Sequence, residues 1–400
     1  MKKIIEDLKA ISLNLDIDCY ILGEYVINKL LNSKNENECI EVIFDGEINL
    51  IVKEFEDLGY ITKKDNDNAA IIKNSVKKIK IYVKCIDNIT IEKELENRNF
   101  TVNCIALKLI DNKIIDPFKG RNHLKSRIIQ EVNEESIKKN PLIIMDAVNM
   151  YIQFGMHFSA YTEAHIREFG NALKDINDSS LFSKLMDIIK NDKSGVAFEI
   201  LDQYELLKYL IPDINKLKTI GKCKYHVEDV FTHMNTTYKV FKQFEQGSIE
   251  LKNFDSDFLF ERIDNLYVKD ILALAAFLHD VGKYRSYAKE GETVSFAGHE
   301  ITGKHIVEEI FQKFQLNYKV IEMICSTVEG HMYPLTIFKE EKEDIKERFF
   351  KSFTPYIKHI ILIFFCDILA TSTFYDPNNE QKSYTVFIEQ LMKGYVEGNF

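Results

Sequence analysis

Residues 271–283 read ILALAAFLHDVGK: an unbroken apolar run from Ile271 to Leu278, then His279-Asp280, then Val281-Gly282-Lys283. Eight consecutive apolar residues predict a helix buried on every side, which belongs inside a helical body. A His-Asp dipeptide alone is common. At the end of a buried helix, however, an imidazole and a carboxylate in adjacent positions can both turn toward one ion. Together they suit Mn, Fe, Co, Ni or Zn better than an ion liganded by oxygen alone. Gly282 is expected to let the chain turn away from the site.

Further ligand types lie where other helices can deliver them. His226 and His233, in YHVEDVFTH, are seven apart and so share roughly one helix face. His299 stands in AGHE, His331 in EGHM, and Asp367 inside the apolar run Ile360 to Leu369. A carboxylate within a buried helix is costly unless paired or bound to a metal. Any one of these histidines is equally well read as a satisfied core residue; the whole set is not.

The rest of the chain narrows the setting. With 400 residues, two to four domains are expected. The 6 prolines and 16 glycines fit a mostly helical chain, and 28 Phe and 19 Tyr supply its bulky core residues in the absence of Trp. The 7 cysteines are scattered and never spaced as CxxC, which argues against a zinc knuckle or a disulfide framework. No uninterrupted apolar run reaches the roughly 18 residues of a bilayer span. The opening MKKIIED lacks a signal peptide's apolar stretch, so a cytoplasmic protein without a membrane partner is expected. The net charge of −10 argues against a broad nucleic-acid-coating surface. It leaves room for a local groove around Lys119, Arg121, Lys125 and Arg127.

Upstream, the first hundred residues read as mixed α/β. Cys19 to Leu22, Ile40 to Phe44 and Lys78 to Ile86 are strand-like, Glu24 to Leu31 has helical spacing, and Lys53 to Leu58 continues a helix ended by Gly59. From about Pro141 onward nearly every segment shows i, i+3/i+4 apolar spacing. The expected fold class is α+β: a small mixed α/β head followed by a long all-helical body. Its expected divisions are a head at 1–115, a helical neck at 116–225, a body domain at 226–375 around the His-Asp pair, and a tail at 376–400 with a helix from about Tyr384 to Tyr395.

The order His233, His279-Asp280, His299, His331, Asp367 resembles the HD superfamily of metal-dependent phosphohydrolases. With FAGHEITGKHI following the His-Asp helix, it is similar to the HD domain fused to bacterial tRNA nucleotidyltransferases. The resemblance implies metal ligation by His233, His279, Asp280 and Asp367, with His299 and His331 holding a second ion. It also implies a pocket position for His226 and a catalytic contact to phosphate for Lys283. An ion in that set polarises a phosphoryl oxygen and activates water, so hydrolysis of a phosphoester with no Ser or Cys nucleophile is implied.

NRNFTVNCIALKL (97–109), IIDPFKGRNHLKSRIIQ (114–130) and NPLIIMDAVNMYIQFGMHF (140–158) resemble the tRNA nucleotidyltransferase/poly(A) polymerase family, class II. The family's pattern there is RRDFTxNA…IDPFxGxxDLxxxxIR…EDPLRxLRAxRFAxxxGF, and the resemblance runs from about residue 18 to 375. Its chemistry is altered in this chain. The GGxVRD turn becomes Gly23-Glu24-Tyr25-Val26-Ile27-Asn28, the DxD becomes Cys39-Ile40-Glu41, and RRD becomes Asn97-Arg98-Asn99. The base-reading EDxxR becomes Lys139 to Ile143, with Asp146 and Asn149 at the Arg positions that follow. Glu24, Glu41, Asp45 and Glu94 remain as candidates for a substitute Mg²⁺ site.

Three readings stand. The first is an HD phosphohydrolase acting on a nucleotide or RNA phosphoester, with the head positioning substrate. The second is a working nucleotidyltransferase, CCA-adding or poly(A) polymerase-like, with Mg²⁺ in the head and accessory HD activity. The third is a non-catalytic RNA-binding relative. RNA or tRNA and nucleotides are the implied partners; oligomeric state is not legible.

Overall fold

A computed structural model describes residues 1–33, 39–74, 79–176, 178–221, 228–291, 293–312, 314–376 and 379–396. They form two compact units, Met1–Ile143 with Phe154–Ile166, and Ile144–Gln153 with Arg167–Phe400.

The first unit is built on a seven-stranded mixed sheet. Its strands are β1 (Cys19–Leu22), β2 (Cys39–Asp45), β3 (Ile61–Asn66), β4 (Ala69–Lys73), β5 (Lys80–Ile86), β6 (Ala106–Lys108) and β7 (Ile114–Ile115), in the spatial order β3-β4-β5-β2-β1-β6-β7. Within this sheet, among the described residues, only β2 and β5 pair in parallel, from Cys39 opposite Lys80 to Asp45 opposite Ile86. A parallel pair needs a long crossover, here supplied by the helix Ile48–Asp57 and the β3–β4 hairpin. That helix buries Ile48, Ile51, Val52 and Phe55, one stripe at 3.6-residue spacing. Along β5, Ile81, Val83 and Cys85 turn inward while Tyr82 and Lys84 face out. Tyr20, Leu22, Ile43 and Ile86 pack with Ile91, Leu95, Cys104 and Ala106 as a core on one face of the sheet.

The head strands and the helix Glu24–Leu30 lie where the sequence predicts them. The opening helix Lys2–Leu15 and the β3–β4 hairpin were not predicted. β3 reads ITKKDN and is exposed along nearly its whole length, so no apolar alternation marks it as a strand.

The second unit is helical around the nearly wholly buried helix Val268–Leu278. Phe277 stacks on Phe198 at 3.6 Å between centroids, and Phe198 meets Tyr238 edge-on. The expectation of an all-helical body needs one correction. Two short antiparallel hairpins interrupt it, Arg262–Ile263 with Leu266–Tyr267 and Ala288–Glu290 with Thr293–Ser295. Strands of two or three residues are too short to leave a period-2 signal. The helix Ile357–Phe374 is long and apolar enough to cross a membrane by length and composition, yet just over half of it is buried in the fold.

Candidate metal centre

The His-Asp helix ends at Leu278, and His279 is its C-cap. The last carbonyls of a helix have no intrahelical partner. One of them, Ala276 O, accepts from His279 Nδ1 at 2.8 Å. A carbonyl can only accept, so Nδ1 carries the proton and Nε2 presents its lone pair inward. His331, the C-cap of the helix Tyr318–Gly330, repeats the device with Val328 O at 2.6 Å. His299 opens the helix His299–Gln312 and binds Phe296 O through Nδ1 at 2.9 Å. Three imidazoles are therefore fixed in one tautomer with Nε2 directed inward.

Those Nε2 atoms converge. His279 Nε2 lies 3.3 Å from His233 Nε2, and His299 Nε2 lies 3.3 Å from His331 Nε2. For His299 and His331, Nε2 lone pairs that face each other at this distance repel unless a proton or a cation stands between them. The two carboxylates complete the set. Asp367 Oδ1 is 2.9 Å from His233 Nε2 and 3.8 Å from His279 Nε2. Asp280 divides its oxygens: Oδ2 faces His279 (3.2 Å) and His233 (3.5 Å), and Oδ1 faces His299 (3.1 Å) and His331 (3.7 Å).

Electrostatics follow from burial and pairing. Burial alone would raise the Asp280 carboxyl, but Lys283 and His279 hold it well below its ordinary range. Asp367 is likewise held low against burial, chiefly by the hydrogen bond from His233. Burial lowers His279 in spite of Asp280, leaving a neutral imidazole suited to ligation. His233 goes the other way, raised to about 9 against burial by Asp367 and Glu228. Four inward nitrogens with two ionised carboxylates fit a first-row transition ion, and the split of Asp280 fits two.

The geometry brings His233, His279, Asp280, His299, His331 and Asp367 together, while His226 lies outside the described residues. Lys283 is buried, with Nζ 2.5 Å from Asp280 Oδ2. Gly282 needs a different explanation from the expected turn. A Cβ there would lie 2.1 Å from His299 O and 2.5 Å from Gly303 N, so its smallness lets the 3₁₀ turn Val281–Lys283 press against the helix His299–Gln312. Glu228 was missed on sequence. Its Oε1 is 3.4 Å from His233 Nδ1, and the only signal was a second acid beside Asp229.

In the head, Cys39 and Glu41 sit two apart on one face of β2, and Glu41 Oε2 is 2.5 Å from Arg98 Nη1. The Glu41 side chain lies over Gly23, where a Cβ would come within 2.8 Å of Oε1. Glu24 accepts from Asn28 at 3.3 Å, buried Glu94 pairs with Lys84 at 2.5 Å, and Asp45 is exposed at the far end of β2. Asn99 is half-buried, its carbonyl accepting from Val132 N. Among the described residues, the only groups of three or more ligand atoms within 4.8 Å of one another are His233–His279–Asp367 and His279–Asp280–His331. The four head carboxylates do not assemble. A single carboxylate already neutralised by Arg98 does not fit the paired Mg²⁺ that nucleotidyl transfer uses. Lys119, Arg121, Lys125 and Arg127 are all exposed, on or beside the short helix Gly120–Lys125. Asp146 pairs with Lys184 at 2.5 Å and Asn149 with Asn191 at 2.9 Å.

Residues 259–352 match the model of the HD domain, and residues 19–130 that of the Poly A polymerase head domain. The A-adding tRNA nucleotidyltransferase of Deinococcus radiodurans is 24% identical over 253 residues, 61% of this chain and 53% of that protein. A Multifunctional CCA protein of Pseudoalteromonas atlantica is 23% identical over 346 residues, 82% of this chain and 78% of that protein. The chain spans 53%, 59% and 54% of the length of the first three curated relatives it matches. Among solved structures, the Thermotoga maritima CCA-adding enzyme complexed with tRNA-CCA superposes with a TM-score of 0.60 at 17% identity, covering 98% of this chain and 81% of that one. A tRNA nucleotidyltransferase complexed with a primer tRNA and an incoming ATP analogue gives 0.62 at 16% identity, covering 97% and 99%. At such identities the likeness shows the fold.

Proposed function

From a chain that belongs to the tRNA nucleotidyltransferase/poly(A) polymerase family and carries an HD domain, we propose metal-dependent hydrolysis of a phosphoester on an RNA end or a nucleotide, performed at the His279–Asp280 centre. The observation that supports it most is the convergence of four Nε2 atoms on two ionised carboxylates. His233, His279, Asp280 and Asp367 would hold one ion, and His299 and His331 with the other Asp280 oxygen a second. An ion there supplies Lewis-acid polarisation of a phosphoryl oxygen and acidifies water. Lys283 sets a positive charge at the edge of the centre, suited to an anionic ester. The exposed Lys119, Arg121, Lys125 and Arg127 would hold an RNA backbone by neutralising phosphates. A cytoplasmic site of action, the four divisions read from sequence and the absence of a membrane partner belong to the same proposal.

The relatives support the second reading better than this one. They are named for adding nucleotides to tRNA or making poly(A), and a nucleotidyltransferase with accessory HD activity accounts for those names directly. What speaks against it is the head itself, where Cys39 supplies no carboxylate and Arg98 occupies Glu41. One assay separates the two. The protein is incubated with Mg²⁺, CTP, ATP and tRNA lacking its CCA end, and in parallel with Mn²⁺ and a phosphoester. Hydrolysis abolished in Asp280→Ala, with no incorporation by wild type, supports the first reading. Incorporation abolished in Glu41→Ala overturns it in favour of the second. Neither activity, with tRNA still bound, leaves the RNA-binding relative.

A further inference from the structure

The four imidazoles of the centre are not oriented alike. His279, His299 and His331 each bind through Nδ1 a backbone carbonyl three residues earlier, at or just outside a helix end where a carbonyl is free to accept. Among the contacts of the described residues, no such carbonyl stands behind His233. It is the fourth residue of the helix Val230–Glu245, and the carbonyls behind it serve the helical ladder. Its Nδ1 faces Glu228 Oε1 instead, at 3.4 Å, with both side chains more than nine-tenths buried.

The neighbouring acids have divided the work. Asp229 caps the helix, accepting from the Thr232 amide and from the Thr232 hydroxyl at 2.9 Å each. Glu228 precedes the cap and turns inward, where a carboxylate is costly unless it meets a donor. A carboxylate behind an imidazole raises its donor strength more than a neutral carbonyl does, because it stabilises positive charge on the ring.

We propose that Glu228 is a positioning residue that makes the two ion positions unequal, with the tighter one formed by His233, His279 and Asp367. The inference rests on reading the centre as a metal site. Through Glu228, His233 is a stronger donor than His299 or His331, so the first ion settles on the His233 side. The ion on the His299–His331 side is held by carbonyl-backed imidazoles and exchanges more readily.

The test is Co²⁺ titration of the full chain, followed by visible absorption, for wild type, Glu228→Gln, Glu228→Asp and His299→Ala. Wild type is expected to take up Co²⁺ in two steps. Glu228→Gln should weaken the tighter step by about 10- to 100-fold and leave the weaker step in place. Glu228→Asp, which keeps the charge but not the reach, should fall between. His299→Ala should remove the weaker step alone. Unchanged uptake by Glu228→Gln overturns the inference while leaving the metal centre intact. Equal weakening of both steps also overturns it, assigning Glu228 a general structural role. Wild type that binds no Co²⁺ overturns the metal reading and this inference with it.

Discussion

Asp280 is the residue on which the centre turns, because its two oxygens face different histidine pairs. Its neighbour two places on is as constrained for a different reason. In Gly282→Ala the new methyl meets the backbone of His299 and Gly303 rather than a movable side chain. A loss of about 3 kcal/mol or more is expected, read from urea midpoints; a change below about 1 kcal/mol would show that the turn can yield. Asp270 gives a pH-dependent prediction. Burial lifts its carboxyl to about 6, and Oδ1 meets no donor among the described residues. Free Asp titrates near 4, so between those values the native state keeps a proton that the unfolded chain releases. Stability from this group is complete below about pH 4 and declines as pH rises through about 6, by up to about 3 kcal/mol. Asp270→Asn should therefore be more stable than wild type at pH 7.5, with the gap closing toward pH 4.5. A gap independent of pH refutes this.

At the scale of elements, legibility followed apolar pattern. The strands around Tyr20 and Val42 are legible as short β-rich apolar runs, the strand around Val83 by its partial alternation, and the amphipathic helices by inward faces that repeat at 3.6 residues. The edge strand Ile61–Asn66 and the two body hairpins did not, being exposed or only two or three residues long. The tail helix begins at Glu380, earlier than the apolar residues from Tyr384 suggest, because Asp376 accepts from the Glu380 amide at 2.7 Å. Its ring contacts carry a prediction. Tyr384 meets Phe338 and Phe364, Phe387 meets Phe338, and Tyr395 stacks on Phe350. Phe364 lies one helical turn before Asp367. On the proposal that Mn²⁺ binds the folded centre and not the unfolded chain, a chain ending at Asp376 should melt at a lower temperature and recover part of the loss on adding Mn²⁺. A truncation whose melting ignores Mn²⁺ would count against a metal held by Asp367.

For the whole molecule, the ligand types were legible as residues but their company was not. His233 and Asp367 stand 134 positions apart in the chain, and the tertiary fold alone sets them 2.9 Å from each other. Glu228 stayed hidden because a carboxylate near a helix start is ordinarily a cap, and only the structure shows Asp229 filling that role. Two units with separate cores predict two calorimetric transitions. Mn²⁺ at about 100 times its dissociation constant adds about 2.7 kcal/mol to the unit that binds it. The body transition should rise by about 5 °C or more while the head transition stays put. If both rise together, the head also binds the ion, and Glu41 is part of a metal site after all.

The helix Ile357–Phe374 carries a consequence for how the chain is made. During synthesis it emerges as 18 residues that pass for a bilayer span, with Lys358 near one end and Asp367 inside. An aspartate at the centre of such a segment opposes insertion by about 2.5–3.5 kcal/mol. Asp367→Leu would remove that opposition along with the proposed ligand, and part of the newly made protein should sediment with membranes, whereas Asp367→Asn, still polar, should remain in the supernatant. The same carboxylate would thus act twice: as a sorting signal that keeps a nascent segment out of lipid, and afterwards as a ligand inside the finished fold.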